Sequence, residues 1–231
     1  MGIGAFLRRD KHRLLLAALI GLIFLAPLLY QFPVTRFLFV IFQSMVLMAC
    51  VYAVRGRRIH LIVSIVLTVP IFLATWLGQI LEVNSFLYLV IEFSPAVLFT
   101  YIGVLIFLDL IQGRDREVDI DMIAGGISVY LLIGLVYGLL YSLLYQYAPG
   151  SFDVSESLVD VHDARGLQHV FVYFSYVTMT TLGYGDVSPV SNLARVLVQL
   201  ETLGAQLFLA IFIARLVGMH IASGGSSIRR D

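Results

Sequence analysis

The sequence predicts an all-α membrane protein, with six transmembrane helices and a short re-entrant segment between the fifth and sixth. Three observations predict it. The 231 residues are 60% hydrophobic and only 13% charged, with a mean hydropathy of +0.94, whereas a soluble domain carries about 25% charged residues. Six apolar runs approach or exceed the about 20 residues that a membrane crossing needs. Lys and Arg gather in alternate connections between those runs, as the positive-inside rule describes. The charge deficit excludes an ordinary soluble enzyme, a disordered protein and a nucleic-acid binder. The expected partner is a lipid bilayer, and the length leaves no room for a large domain outside it.

The runs fall at residues 14–30, 36–54, 60–78, 86–111, 122–146 and 192–218. Residues 1–13 are basic, and the first run could serve as a signal peptide. No small-x-small cleavage site follows it, so it reads as an uncleaved helix. Met1-Gly2 is not a convincing myristoylation signal, because position 6 is Phe. Cys50 lies inside the second run and has no intrachain partner; it and Trp76 read as packing residues. The fourth run carries no Lys or Arg between Phe86 and Ile111, and holds Glu92 and Pro95 instead. Gly134 and Gly138 make a GxxxG pattern in the fifth, which favours close helix packing. Residues 147–166 are polar and acidic, and 167–180 are apolar but too short to cross.

Charge placement sets the orientation. Arg8, Arg9, Lys11 and Arg13 precede the first span, Arg55, Arg57 and Arg58 follow the second, Arg114 and Arg116 follow the fourth, and Arg229 and Arg230 end the chain. An even number of spans puts all of these in the cytoplasm, with both termini. The opposite side keeps Arg36, Arg165 and Arg195 among the acids Glu82, Asp153, Glu156, Asp160, Asp163 and Asp186.

Residues 178–186 read Thr-Met-Thr-Thr-Leu-Gly-Tyr-Gly-Asp. Non-helical backbone at membrane depth is tolerated only where protein buries it or water meets it. Gly183 and Gly185 take positive φ at little steric cost. Backbone alternating between left- and right-handed conformations turns successive carbonyls to one side, and Thr181 adds a hydroxyl oxygen to that row. Several such strands around an axis would build stacked oxygen cages that replace an ion's hydration shell.

This segment resembles the potassium-channel signature sequence, with Leu182 where Val or Ile is usual. The resemblance is strongest over residues 122–218, and the whole chain looks like a bacterial six-span potassium-channel subunit in the plasma (inner) membrane. It implies a pore domain made of an outer helix, a pore helix over 167–179, a filter loop over 181–185 and an inner helix over 192–218. Residues 14–111 would form a four-helix peripheral domain, 112–121 a cytoplasmic connection and 219–231 a cytoplasmic tail. The carbonyls of Thr181, Leu182, Gly183 and Tyr184, with the Thr181 hydroxyl, would bind K+ as the permeant ion, with no organic cofactor. Gly185 and Asp186 would form the outer mouth, and Thr180 would support the filter. Tyr173 is expected to hydrogen-bond Asp186 behind the filter. A second clamp is absent, because Val177 stands where some channels place Glu. The Leu182 side chain is expected to turn back into the pore helix. The pore helix would aim its C-terminal end, with its negative partial charge, at the central cavity. One loop per chain implies a homotetramer, and no second such loop is present.

Several residues carry two readings each. Thr202, Gln206, Leu209, Ile213 and Val217 share one helical face and are the cavity-lining candidates. Glu201 lies about 100° off that face, and a membrane-depth acid is by default a functional hypothesis. It is either a carboxyl, in its ionised or protonated form, bound to pore-helix hydroxyls or amides, or a gating or pH-sensing group. Glu92 has no evident partner. Gln206 either tunes the cavity or bonds a neighbouring subunit, and Gly204 is either a hinge or a packing glycine, with Ala205 at the more usual hinge position. Arg215 either snorkels or pairs with Glu117, Asp119 or Asp121. The acidic stretch 153–163 is a solvated turret or a cation-concentrating mouth. His162 and His169 lack the spacing of a metal site. The first four spans are a degenerate sensor domain or a scaffold.

Other functions remain alongside the channel: a non-selective or non-conducting subunit, raised by Leu182, and a potassium transporter, which would carry four pore loops in one chain. Gly183-Tyr184-Gly185-Asp186 also fits the GxGD string of intramembrane aspartyl proteases, which need a second intramembrane Asp. None is present in any apolar core here. The gating stimulus is not legible, and a regulatory ligand or subunit stays open.

Overall fold

A computed structural model describes residues 11–25, 35–56, 58–77, 85–112, 118–158 and 164–227. Expectations about Met1, Gly2, Phe6, Arg8, Arg9, Arg57, Glu82, Arg114, Arg116, Glu117, Asp160, His162, Asp163, Arg229 and Arg230 lie outside the described residues, as does the side chain of Glu92. The chain is mostly helical. The helices are α1 (Lys11–Ile20, continued by a π-helical turn Gly21–Leu25), α2 (Thr35–Ala53), α3 (Arg58–Leu77), α4 (Ser85–Gln112), α5 (Ile120–Tyr147), α6 (Ala164–Met179) and α7 (Asn192–Ser227). Among the described residues, four helices are long and apolar enough to cross a membrane: Arg58–Leu77, Phe93–Gln112, Ile120–Tyr147 and Asn192–Ile221.

The helix starts have identifiable causes. Asp119 Oδ1 accepts the Met122 amide at 2.8 Å and caps α5, and Ser191 Oγ accepts the Ala194 amide at 3.1 Å and caps α7. Such side-chain caps satisfy amides that have no partner inside the helix. Two ends differ from the sequence expectation. The short helix α6 starts at Ala164 rather than 167, and α7 runs on to Ser227 rather than stopping at 218. Hydropathy locates where a helix leaves an apolar medium, whereas its backbone ladder continues wherever nothing interrupts it.

The chain divides into two compact units, one of residues 1–64, 101–131 and 207–231, the other of 65–100 and 132–206. In the first unit, α1 packs on α2. Asp121 Oδ1 accepts the amides of His12 at 2.8 Å and Arg13 at 3.4 Å, so a carboxylate from α5 caps α1. Lys11 Nζ stands 3.5 Å from Asp109 Oδ2. Phe208 and Phe212 of α7 stack at 5.8 Å, and the Phe212 ring fills the space that a side chain at Gly126 would occupy.

The second unit centres on an aromatic cluster of Tyr141, Phe152, Phe171 and Phe174 with Val187 and Ala194. Phe152 meets the other three rings at 5.0–5.8 Å, and such pairs add about 0.5–1.5 kcal/mol each beyond their burial. Phe152 reaches that position from a short antiparallel ribbon, β1 (Phe152–Val154) with β2 (Val187–Pro189), in which Val154 faces Val187. The GxxxG pair lies against α6: a Cβ on Gly138 would stand 2.7 Å from Val172 Cα, and one on Gly134 would strike the Tyr176 ring.

Candidate functional site

The segment after α6 leaves the helix through three backbone hydrogen bonds, the last a wide 6→1 closure of the kind that ends helices. The amides of Thr180, Thr181 and Leu182 donate to the carbonyls of Tyr176, Thr178 and Val177 at 3.0, 3.0 and 2.9 Å. Beyond them, φ is positive at Thr181 (58°), Gly183 (61°) and Gly185 (79°), and at neither Leu182 nor Tyr184. Every second residue of Thr181–Gly185 is therefore left-handed. Nothing lies within 4 Å of a Cβ at Gly183 or Gly185, so the backbone conformation, and not lack of space, asks for glycine there. Thr181 has no such licence, and a β-branched residue at positive φ is held at a cost of about 1–3 kcal/mol. Its hydroxyl donates to Thr180 O at 2.7 Å, and Thr180 Oγ1 donates to Tyr176 O at 2.6 Å.

The far end of the segment is fastened at Asp186. Tyr173 Oη donates to Asp186 Oδ2 at 2.7 Å, which brings together the two residues paired on sequence grounds. The Val187 amide reaches Asp186 Oδ1 at 3.1 Å, and the Ser155 amide donates to Asp186 O at 2.8 Å. The last bond ties the polar connection after α5 to this loop. Within one chain Leu182 is 55% exposed and Tyr184 64% exposed, whereas Val177 and Met179 of α6 are buried.

Glu201 is fully buried. Tyr141 Oη of α5 lies 2.5 Å from its Oε2, and Ser175 Oγ of α6 contacts its Oε1. Ser175 Oγ also stands 2.8 Å from Gly134 O. A buried carboxyl left without partners would cost several kcal/mol, and here both oxygens are engaged. Ser175 is a hydroxyl of the kind expected for Glu201, whereas Tyr141 was not legible as a partner, because it lies 60 residues from Glu201 in an otherwise apolar run.

The five residues expected on one face of α7 are all at least partly exposed within the chain: Thr202 and Leu209 half-buried, Gln206, Ile213 and Val217 exposed. Thr202 Oγ1 donates to Val198 O of its own helix at 2.8 Å, and Gln206 Nε2 donates to Met179 O, at the end of α6, at 3.1 Å. A Cβ on Gly204 would meet nothing within 4 Å, so close packing within the chain does not explain that glycine. Arg215 Nε donates to Leu110 O at 2.6 Å. The acids proposed as its partners, Asp119 and Asp121, serve helix N-termini, where the macrodipole favours negative charge. Among the described residues, no three His, Cys, Asp or Glu side chains converge as a metal site would require.

No curated protein and no solved structure matches the chain. Residues 167–221 match the family model described as Ion channel, and that stretch takes in most of α6, the whole alternating loop and most of α7. With helices apolar enough to cross a membrane on the same chain, the match supports a membrane protein of ion transport, an ion channel rather than an enzyme.

Proposed function

We propose that the chain is one subunit of a homotetrameric, potassium-selective channel that conducts K+ passively down its electrochemical gradient. The observation that carries this reading is the alternation of φ along Thr181–Gly185, directly after a short helix. That alternation suits a row of carbonyls facing one axis, and four such rows replace the water around an ion. Thr181, Leu182, Gly183 and Tyr184 supply the carbonyls, and Thr181 also its hydroxyl. Thr180, Tyr173, Asp186 and Glu201 hold the loop. Thr202, Gln206, Leu209, Ile213 and Val217 face the cavity, with Gly204 as a hinge candidate.

In this reading α6 is the pore helix and α7 the inner helix. The chain spans the plasma membrane six times, with both termini cytoplasmic, and residues 14–111 form the peripheral domain. The lack of Lys and Arg from Phe86 to Ile111 supports weak voltage dependence.

Purified protein in liposomes, studied under bi-ionic potassium and sodium, tests the proposal. A reversal potential displaced toward the potassium equilibrium value is expected. Equal permeability of the two ions would sink the selective reading and leave a non-selective channel, the alternative raised by Leu182 where Val or Ile is usual. No conductance at all would leave a non-conducting subunit.

A further inference from the structure

We propose that Glu201 keeps its carboxyl proton, and that this proton completes an unbroken hydrogen-bond chain from Tyr141 through Glu201 and Ser175 to Gly134. The argument is a count of hydrogens. Three oxygen–oxygen contacts run in series: Tyr141 Oη to Glu201 Oε2 at 2.5 Å, Glu201 Oε1 to Ser175 Oγ, and Ser175 Oγ to Gly134 O at 2.8 Å. Each needs one hydrogen between its oxygens. Tyr141 has one, Ser175 has one, and a backbone carbonyl has none. The third must come from the carboxyl.

With that proton in place every group is used once. Tyr141 donates to Oε2, Glu201 donates through Oε1 to Ser175 Oγ, and Ser175 donates to Gly134 O. With an ionised carboxylate, Ser175 has to give its only hydrogen to one acceptor, and two acceptor oxygens then face each other across the remaining contact. Tyr141, Ser175 and Glu201 are all at 0% exposure, so water is not at hand to supply the difference. Among the described residues, the groups acting on the carboxyl are Tyr137 and Tyr141 of α5 and Ser175 of α6, none of them a cation. A neutral acid is thus the form that these surroundings accept.

The chain fastens α6 to both of its neighbours. α6 carries the loop of Thr181–Gly185 at its end, so Glu201 is a positioning residue for that loop: it acts through Ser175 and touches no ion ligand. This role deepens the channel reading and rests on it, whereas the proton count does not.

Infrared difference spectra of the purified chain in lipid, with glutamate carrying a carbon-13 carboxyl, read the proton directly. The labelled wild type is expected to show a carboxylic-acid carbonyl band at neutral pH that Glu201→Gln removes. Ser175→Ala, which takes away the acceptor, is expected to shift that band rather than abolish it. This keeps the test decisive if the Gln variant fails to fold. An acid band indifferent to both substitutions, or only carboxylate bands, overturns the proposal.

Potassium flux reads the consequence. Gln offers an N–H toward Ser175 and an oxygen toward Tyr141, so Glu201→Gln is expected to keep flux within about twofold of wild type, whereas Glu201→Ala, which leaves both hydroxyls stranded, loses about tenfold or more. Equal losses in the two variants would overturn the positioning role. Absence of flux in the wild type with the band present and responsive would refute the channel reading and leave the proton standing.

Discussion

Asp186 is gripped from three directions, by the Tyr173 hydroxyl, the Val187 amide and the Ser155 amide. The first of these is a single O–H donated to a carboxylate, and it can be deleted without changing shape. Hydrogen bonds to charged groups are worth about 1.5–3 kcal/mol when buried. Tyr173 is 37% exposed, so about 1 kcal/mol is the better figure once solvent competes. Tyr173→Phe is therefore expected to leave the helices intact and to lower the protein's thermal midpoint in potassium by a few degrees. In sodium the fall should be smaller, since the loop then has less order to lose. An equal fall in both salts would mean that Tyr173 serves the fold alone. This pair could be read from the sequence because its two residues lie 13 apart on a segment whose resemblance fixes the geometry. Leu182 could not. Its exposure depends on which chains surround the loop, and that is a tertiary and quaternary fact.

At the scale of elements, long apolar runs announced the helices, and Gly134 and Gly138 announced a packed face. The sequence hid which helix would fill that face. It also hid the β1–β2 ribbon, since three-residue strands in a polar, acidic connection carry no periodicity to count. Phe152 shows the cost of missing it: the ribbon exists to deliver that ring into the aromatic cluster behind α6. The glycines of α5 and α7 now separate into two kinds. A Cβ on Gly138 would lie 2.7 Å from Val172 Cα and 3.0 Å from Val172 N. These are backbone atoms that no rotamer change can move aside, so Gly138→Ala is expected to destabilise the protein by about 1–3 kcal/mol. Gly204 faces open space, and Gly204→Ala should gain up to about 1 kcal/mol in helix propensity. Thermal unfolding in lipid checks both signs. If Gly204 is a hinge of the proposed inner helix, its Ala variant is more stable and yet conducts less; unchanged conduction would remove the hinge role.

Across the whole molecule, the fifteen basic and fifteen acidic residues fall mostly outside the apolar runs. Asp121 caps α1, Asp119 caps α5, Lys11 meets Asp109 near the C-terminal end of α4, and Arg215 rests on the Leu110 carbonyl. Only Glu92 and Glu201 stand deep within apolar runs, and Glu201 sits inside a net of hydroxyls. This allotment bears on what the membrane potential can do. A full charge carried across 100 mV is worth about 2.3 kcal/mol, close to a fiftyfold change in an equilibrium. A helix responds to voltage only if it carries such charges through the field, and α4 has no Lys or Arg from Phe86 to Ile111. A neutral Glu201 carries none either. Under the channel reading, open probability in planar bilayers is therefore expected to change by less than about tenfold over 100 mV, since anything steeper needs more than about half a charge to move. Recordings at fixed lipid composition and pH check it. A fiftyfold or steeper dependence would mean that some charged group does cross the field. The basic residues near the ends of the apolar runs would then be the first to neutralise one at a time, beginning with Arg215.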